Sequence, residues 1–352
     1  MKIFSLPLNP KLDQNQFNIY MMFLKEHKEF IYDVYFTSRI SPFEQDAMGD
    51  VFVNDSNDLL ENAMIIQDIL GIPVSATFNN IYVRPTQKNL DLWIQNFIPL
   101  YERGIRSCTL PHAHWVSTGQ IQKKFPDLYI KNTILREINT SADMAKQIES
   151  GFNYINIDRD LMRDKDTLEK IKKVKNKFNI KVALLANEGC IGSCPMMDEH
   201  YHFNCTRTNG PQYFNDVISR VSCPKWDIKD PSTPLKTANI PPWKEDWDEL
   251  LQYIDIFKMH GRESISQLWS SMNIIHNYSE NKEILYNEFN EYLNETNLNG
   301  NAIQAWRKTI KNCKFDCWDC NKCEELYNLK SNLISDKNEI LITDTLCTIF
   351  QD

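Results

Sequence analysis

Eight of the ten cysteines in this 352-residue chain fall into two groups whose spacing suits metal chemistry. Cys190, Cys194, Cys205 and Cys223 form the first group, and Cys313, Cys317, Cys320 and Cys323 crowd into the run CKFDCWDCNKC. Thiolates are soft anionic donors, and sets of four are taken by zinc and by iron–sulfur clusters. Structural zinc usually closes on two short hairpins, whereas the first group has a single close pair. Ligands that far apart can arrive from several loops, so a 4Fe–4S cluster beside a pocket is the expectation there. The compact second group suits either a second 4Fe–4S cluster or a zinc knot. Cys108 and Cys347 stand alone and read as packing residues.

Titratable side chains gather around the same stretches. His112 and His114 lie in LPHAHW, Arg136 in ILRE, and Asp158 and Arg159 in IDRD. Glu188, His200 and His202 surround the first cysteines, and FKMHGR carries Lys258, His260 and Arg262. We expect His112, His114, Glu188, His200 and His260 to move protons near neutral pH. Arg136, Asp158, Arg159, Lys258 and Arg262 are expected to bind substrate, with Lys258 and Arg262 clamping a carboxylate or phosphate.

These residues need elements to hold them. Short apolar runs alternate with helical stretches, which marks βαβ units and a parallel sheet. Expected strands are Phe30–Phe36, Gly71–Phe78, Gly104–Leu110, Leu128–Leu135, Tyr154–Ile157, Ile180–Leu185 and Ile254–Lys258, with Val221–Ile228 a candidate eighth. Between them, Leu168, Ile171, Val174 and Phe178 share one helical face, and Thr140 or Ser141 caps an earlier helix. The count points to an α/β fold, a TIM-like (β/α)8 barrel or a close variant, over residues 1–265, with a doubly wound sheet as the alternative. If so, the polar residues above follow strands and meet at one mouth. Beyond residue 265 the pattern becomes helical only, so 266–352 reads as a helical appendage carrying the second cysteine group.

Composition narrows the function. Hydrophobic residues make 42% of the chain and charged ones 24%, an ordinary globular balance. A net charge of −8 disfavours a broad grip on nucleic acid. No apolar run approaches the roughly 18 residues of a membrane span. The start, MKIFSLPLNPKLDQ, does not read as a signal peptide. So many thiols without such a leader suggest a reducing, cytoplasmic setting. No GxGxxG, phosphate-binding loop or HExxH occurs.

Three blocks then resemble a known family, the collagenase-like peptidase superfamily (family U-thirty-two). They are NTILREINTSADMAKQIESGFNYINIDRD, IKVALLANEGCIGSCPMMDEHYHFNC and YIDIFKMHGRE; the last matches the family's Phe-Lys-x-x-Gly-Arg at Phe257, Lys258, Gly261 and Arg262. The resemblance implies a TIM-like barrel, a 4Fe–4S cluster on four cysteines, and oxygen-independent hydroxylation of ubiquinone precursors or RNA, with prephenate as oxygen source. It also admits a homologous partner subunit or an electron donor. The chain's departures are a missing Glu-x-Phe peptidase block and a different cysteine spacing. We therefore expect an iron–sulfur oxidoreductase acting on a small anionic or aromatic molecule, or on RNA. The rivals are a non-catalytic subunit of an RNA-modification complex, a metal-dependent peptidase and a zinc-stapled scaffold.

Overall fold

The computed structural model describes residues 1–43, 56–198, 230, 232–262, 264–282 and 300–329. Eight parallel strands close into a barrel in sequence order: β1 Phe4–Pro7, β2 Ile31–Thr37, β3 Val74–Thr77, β4 Ser107–Leu110, β5 Tyr129–Asn132, β6 Tyr154–Ile157, β7 Lys181–Ala186 and β8 Ile256–Met259. Closure is made where Phe4 and Ser5 of β1 pair with Phe257 and Lys258 of β8. The TIM-like (β/α)8 barrel is thus present. Seven of the eight strands overlap the expected runs, with β2, β7 and β8 each ending one residue beyond them. The missing one is β1, not Val221–Ile228, which falls outside the described residues.

Helices follow the strands: α1 Gln14–Glu26, α2 Ser56–Leu70, α3 Gln87–Glu102, short α4 Ala113–Ser117 and α5 Gln120–Lys124, α6 Ser141–Glu149, α7 Lys165–Phe178, α8 Lys244–Leu250 and α9 Ile265–Ser279. Their starts obey local chemistry. Asp13 and Gln16 form a reciprocal capping box on α1, while Thr86, Thr140, Asp164 and Ser264 cap α3, α6, α7 and α9 with side-chain oxygens. None of these helices is long and apolar enough to cross a membrane.

Alternation along the strands sorts the side chains. Phe4, Leu6, Val34, Phe36, Val74, Ala76, Cys108, Ile155, Val182, Leu184 and Phe257 join the helices in the main apolar core. Leu268, Met272, Ile274 and Ile275 of α9 belong to this same core. The barrel's apolar packing thus extends past residue 265, where the sequence suggests a division. A smaller core lies apart, where Trp306 and Ile310 of α10 (Gly300–Ile310) and Leu326 of α11 (Lys322–Leu329) pack on Leu235 and Trp243. Asp246 ties Arg307 of α10 and Lys311, just after that helix, to the barrel's α8. It is 3% exposed and accepts from Arg307 Nε at 2.7 Å and Lys311 Nζ at 2.6 Å.

Candidate active site at the barrel mouth

The residues between the outward ones face the barrel interior, and that interior is polar. Ser5, Asp33, Ser75, Ser107, Lys131, Asn156 and Lys258 are all buried. Asp33 forms an ion pair with Lys131 and accepts from Ser5 Oγ at 2.5 Å. Lys131 also sits 4.7 Å from the Tyr154 ring. Ser107 donates to Ser75 at 3.1 Å. Sequence reasoning missed Asp33 and Lys131. The signal was a charged residue inside each of the strand runs IYDVYF and YIKN, which buries a charge unless it is paired.

Lys258 is placed differently. Its Nζ lies 4.6 Å from the centre of the Tyr35 ring, and no hydrogen bond or ion pair holds it among the described residues. Burial, then the positive charges of Arg262 and Lys131, push its pKa down to about 7. Arg262 lies 6.0 Å from the same ring and donates to Thr37 Oγ1 at 2.8 Å. Tyr35 is itself tied across the seam, donating its hydroxyl to Met259 O at 2.6 Å. Between the two cations Gly261 adopts φ +141, and a Cβ there would come 2.9 Å from the Leu268 backbone. Only glycine allows this turn. Asn9 Nδ2 clasps the Gly261 carbonyl at 2.7 Å.

On the β6–β7 side the charges are already spent. Arg159, 4% exposed, pairs with Glu188. Asp158 caps the turn after β6, accepting from Asp160 N at 2.8 Å, and burial raises its pKa despite that bond. Glu188 therefore anchors a buried arginine. His260 follows β8 and donates its backbone N–H to Asn187 Oδ1 at 2.9 Å.

On the β4–β5 side His112 is 5% exposed, with its ring edge-on to Trp115. Arg136 lies 3.0 Å from His112 Nδ1 and donates from Nε to Pro111 O. Arginine has only donors, so Nδ1 accepts. Burial, then the Arg136 charge, push the His112 pKa down to about 4. It is neutral at pH 7, which corrects the expectation that it titrates near neutrality. His114, two residues on, is exposed.

Cys190 and Cys194 sit on a loop pinned from both sides. Ala238 N donates to Cys190 O, and Gly192 N to Lys236 O, at 2.8 and 2.9 Å. Ser193 N donates to Asp160 Oδ2 at 2.7 Å. Both thiols are half-buried. The second cysteine run comes to this loop. A Cβ on Gly192 would lie 1.8 Å from the Phe315 ring, so the two loops touch and only glycine permits it. Arg163 stacks over Phe315 at 4.6 Å and donates to Asn239 O at 3.4 Å. Phe315 N donates to Cys313 Sγ at 3.3 Å. Burial, then the charges of Cys313 and Cys317, push the Cys323 thiol up to about 11, while Lys236 and Arg163 pull the other way. Cys317 and Cys320 are exposed. Cys205, Cys223, His200 and His202 lie outside the described residues.

No family profile matches the chain. The uncharacterized protease MJ1657 of Methanocaldococcus jannaschii is 28% identical over 174 residues, 44% of this chain and 47% of that protein. The chain thus spans about half the length of the curated relative it matches. Among solved structures, a U32 peptidase, Mk0906, aligns at 10% identity and a TM-score of 0.47, over 74% of this chain and 93% of that one. The YdjI aldolase of Escherichia coli K12 aligns at 10% identity and a TM-score of 0.38, over 95% and 92%.

Proposed function

We propose that this chain is an iron–sulfur enzyme of the collagenase-like peptidase superfamily, modifying a small anionic substrate at the barrel mouth without molecular oxygen. One observation carries the reading. Lys258 and Arg262 approach one aromatic ring, with no carboxylate ion-paired to either among the described residues, at the open end of the last strand. Two neighbouring cations, one buried and one half-buried, repel each other, and an anionic ligand relieves that repulsion. The likeness to a named protease over about half its length supports membership of the superfamily.

The thiols suit an iron–sulfur group chemically. Burial and crowding push the Cys317 and Cys323 thiols up, while the charges of Lys236 and Arg163 pull them towards the thiolate that iron requires. Cys313, Cys317, Cys320 and Cys323 would hold one cluster, and Cys190 and Cys194, with Cys205 and Cys223, another. Such clusters supply single electrons when bound. The chain's own side chains do the rest. Lys258 and Arg262 orient the anion, Tyr35 sets their level, and the Arg159–Glu188 pair holds the wall from which the Cys190 loop departs. An electron donor or a homologous partner chain belongs to the same reading.

Purification without oxygen, followed by iron and sulfide analysis, tests it. We expect at least about four of each per chain. In calorimetry, carboxylates including prephenate should bind the wild type and not Lys258→Met. Protein free of iron that hydrolyses peptides in air would overturn the reading in favour of a peptidase.

A further inference from the structure

At the opposite end of the barrel, two histidines from helices distant in sequence meet. His27 follows α1, is 3% exposed, and places Nε2 3.3 Å from Nδ1 of His276 on α9. The carboxylate of Glu26 completes a group whose three donor atoms all lie within 4.8 Å of one another. Two nitrogens bound to one tetrahedral zinc at 2.0–2.1 Å stand about 3.3 Å apart. The imidazoles therefore already hold that separation.

Hydrogen bonding fixes which nitrogen offers its lone pair. Ser279 Oγ donates its single proton to His276 O at 2.7 Å. Towards His27 Nδ1, 3.2 Å away, that oxygen can only accept. Nδ1 thus carries the hydrogen, and Nε2 presents its lone pair to His276 and Glu26. An outer partner that fixes the tautomer and ring angle is the usual support of a metal-bound histidine. A nitrogen pair with one carboxylate suits zinc or a neighbouring late divalent ion.

We propose that Glu26, His27 and His276 form a divalent-metal site on the N-terminal face of the barrel, with solvent in the remaining position. Its place gives it a purpose. α1 follows the first strand and α9 the last, and β1 pairs with β8, so the ion would staple the seam where the ring closes. The face opposite the strand C-termini is where barrels keep stability rather than catalysis. The proposal is independent of the chemistry assigned to the mouth.

Cobalt titration of the anaerobically purified, iron-loaded chain tests it. One equivalent should bind with the visible bands of a nitrogen and oxygen site, lacking sulfur-to-cobalt charge transfer. Glu26→Gln should weaken binding about tenfold and His276→Gln about a hundredfold, with iron content unchanged. Saturating zinc should raise the wild-type Tm by about 5 °C and leave His276→Gln unmoved. His27→Ala removes a buried ring, so the two partly exposed ligands carry the decision if it fails to fold. Affinity and Tm response unchanged in both variants, or cobalt bound only through sulfur, would overturn the proposal.

Discussion

Lys131 and Lys258 are both buried in the interior of one barrel and are treated in opposite ways. Lys131 has Asp33 against its ammonium and a tyrosine ring on its flank. Lys258 has a tyrosine ring, a second cation nearby and no ion pair among the described residues, and the Asp33 charge acts on it less strongly than Arg262 and Lys131 do. A compensated buried charge maintains the fold, and breaking it strands the partner. An uncompensated one costs stability and persists where a ligand supplies the missing charge. The β1–β2–β5 side of the interior is thus scaffold, and the β8 side is receptor.

The contrast is broken most severely at its structural end. Lys131→Met should leave Asp33 buried without its counter-ion, at a cost of about 3–5 kcal/mol, seen as a large fall in the urea midpoint. Lys258→Met should leave that midpoint unchanged or raised. If the two variants lose equal stability, the division between scaffold and receptor fails.

Next in size is binding. Lys258→Met should weaken a carboxylate ligand by about 10- to 100-fold, the worth of a charge-assisted hydrogen bond. Arg262→Lys keeps the charge but loses the planar fork, and should cost less. Calorimetry on the two variants reads both effects.

A pH series sharpens the same point. With its pKa pushed down to about 7, Lys258 is charged below neutrality and neutral above it. Anion affinity should fall about tenfold from pH 6 to pH 8, with proton uptake on binding near pH 7. For folding the sign is opposite. Between about 7 and the unfolded value of ~10.4 the unfolded chain holds the extra proton, so stability from this group rises with pH. Lys258→Met should abolish both slopes.

The smallest effect concerns His112. Its pKa, pushed down to about 4, lies below the unfolded value of ~6.5. Its contribution to stability is present above the unfolded value and is lost as pH falls towards 4. Its ring resonances should not shift between pH 6 and 8 in NMR titration. A midpoint within that window would restore it as a proton carrier at neutral pH.

How much of this could be read beforehand depends on what each residue's neighbours are. Strand runs such as IYDVYF and IKVALL declare themselves through local β-propensity, and Thr140 announces its helix by capping it. β1 escaped because FSLP is only four residues and ends in a proline. Lys258 and Arg262 were legible as a cationic pair at a strand end. Their isolation from carboxylates was not, because it depends on Asp33 being taken by a lysine 98 residues away. The contact of Gly192 with Phe315 is hidden for the same reason, since it joins loops more than a hundred residues apart. His27 and His276 carry no motif spacing at all; the closure of the ring alone makes them neighbours.

The Tyr35 hydroxyl is fastened to the last strand while its ring lies near both cations. The lysine and arginine are therefore levelled by a single shared datum rather than set one by one. Selectivity among anions of different length should be easier to retune by resizing position 35 than by replacing either charge, because one substitution there resets both heights at once.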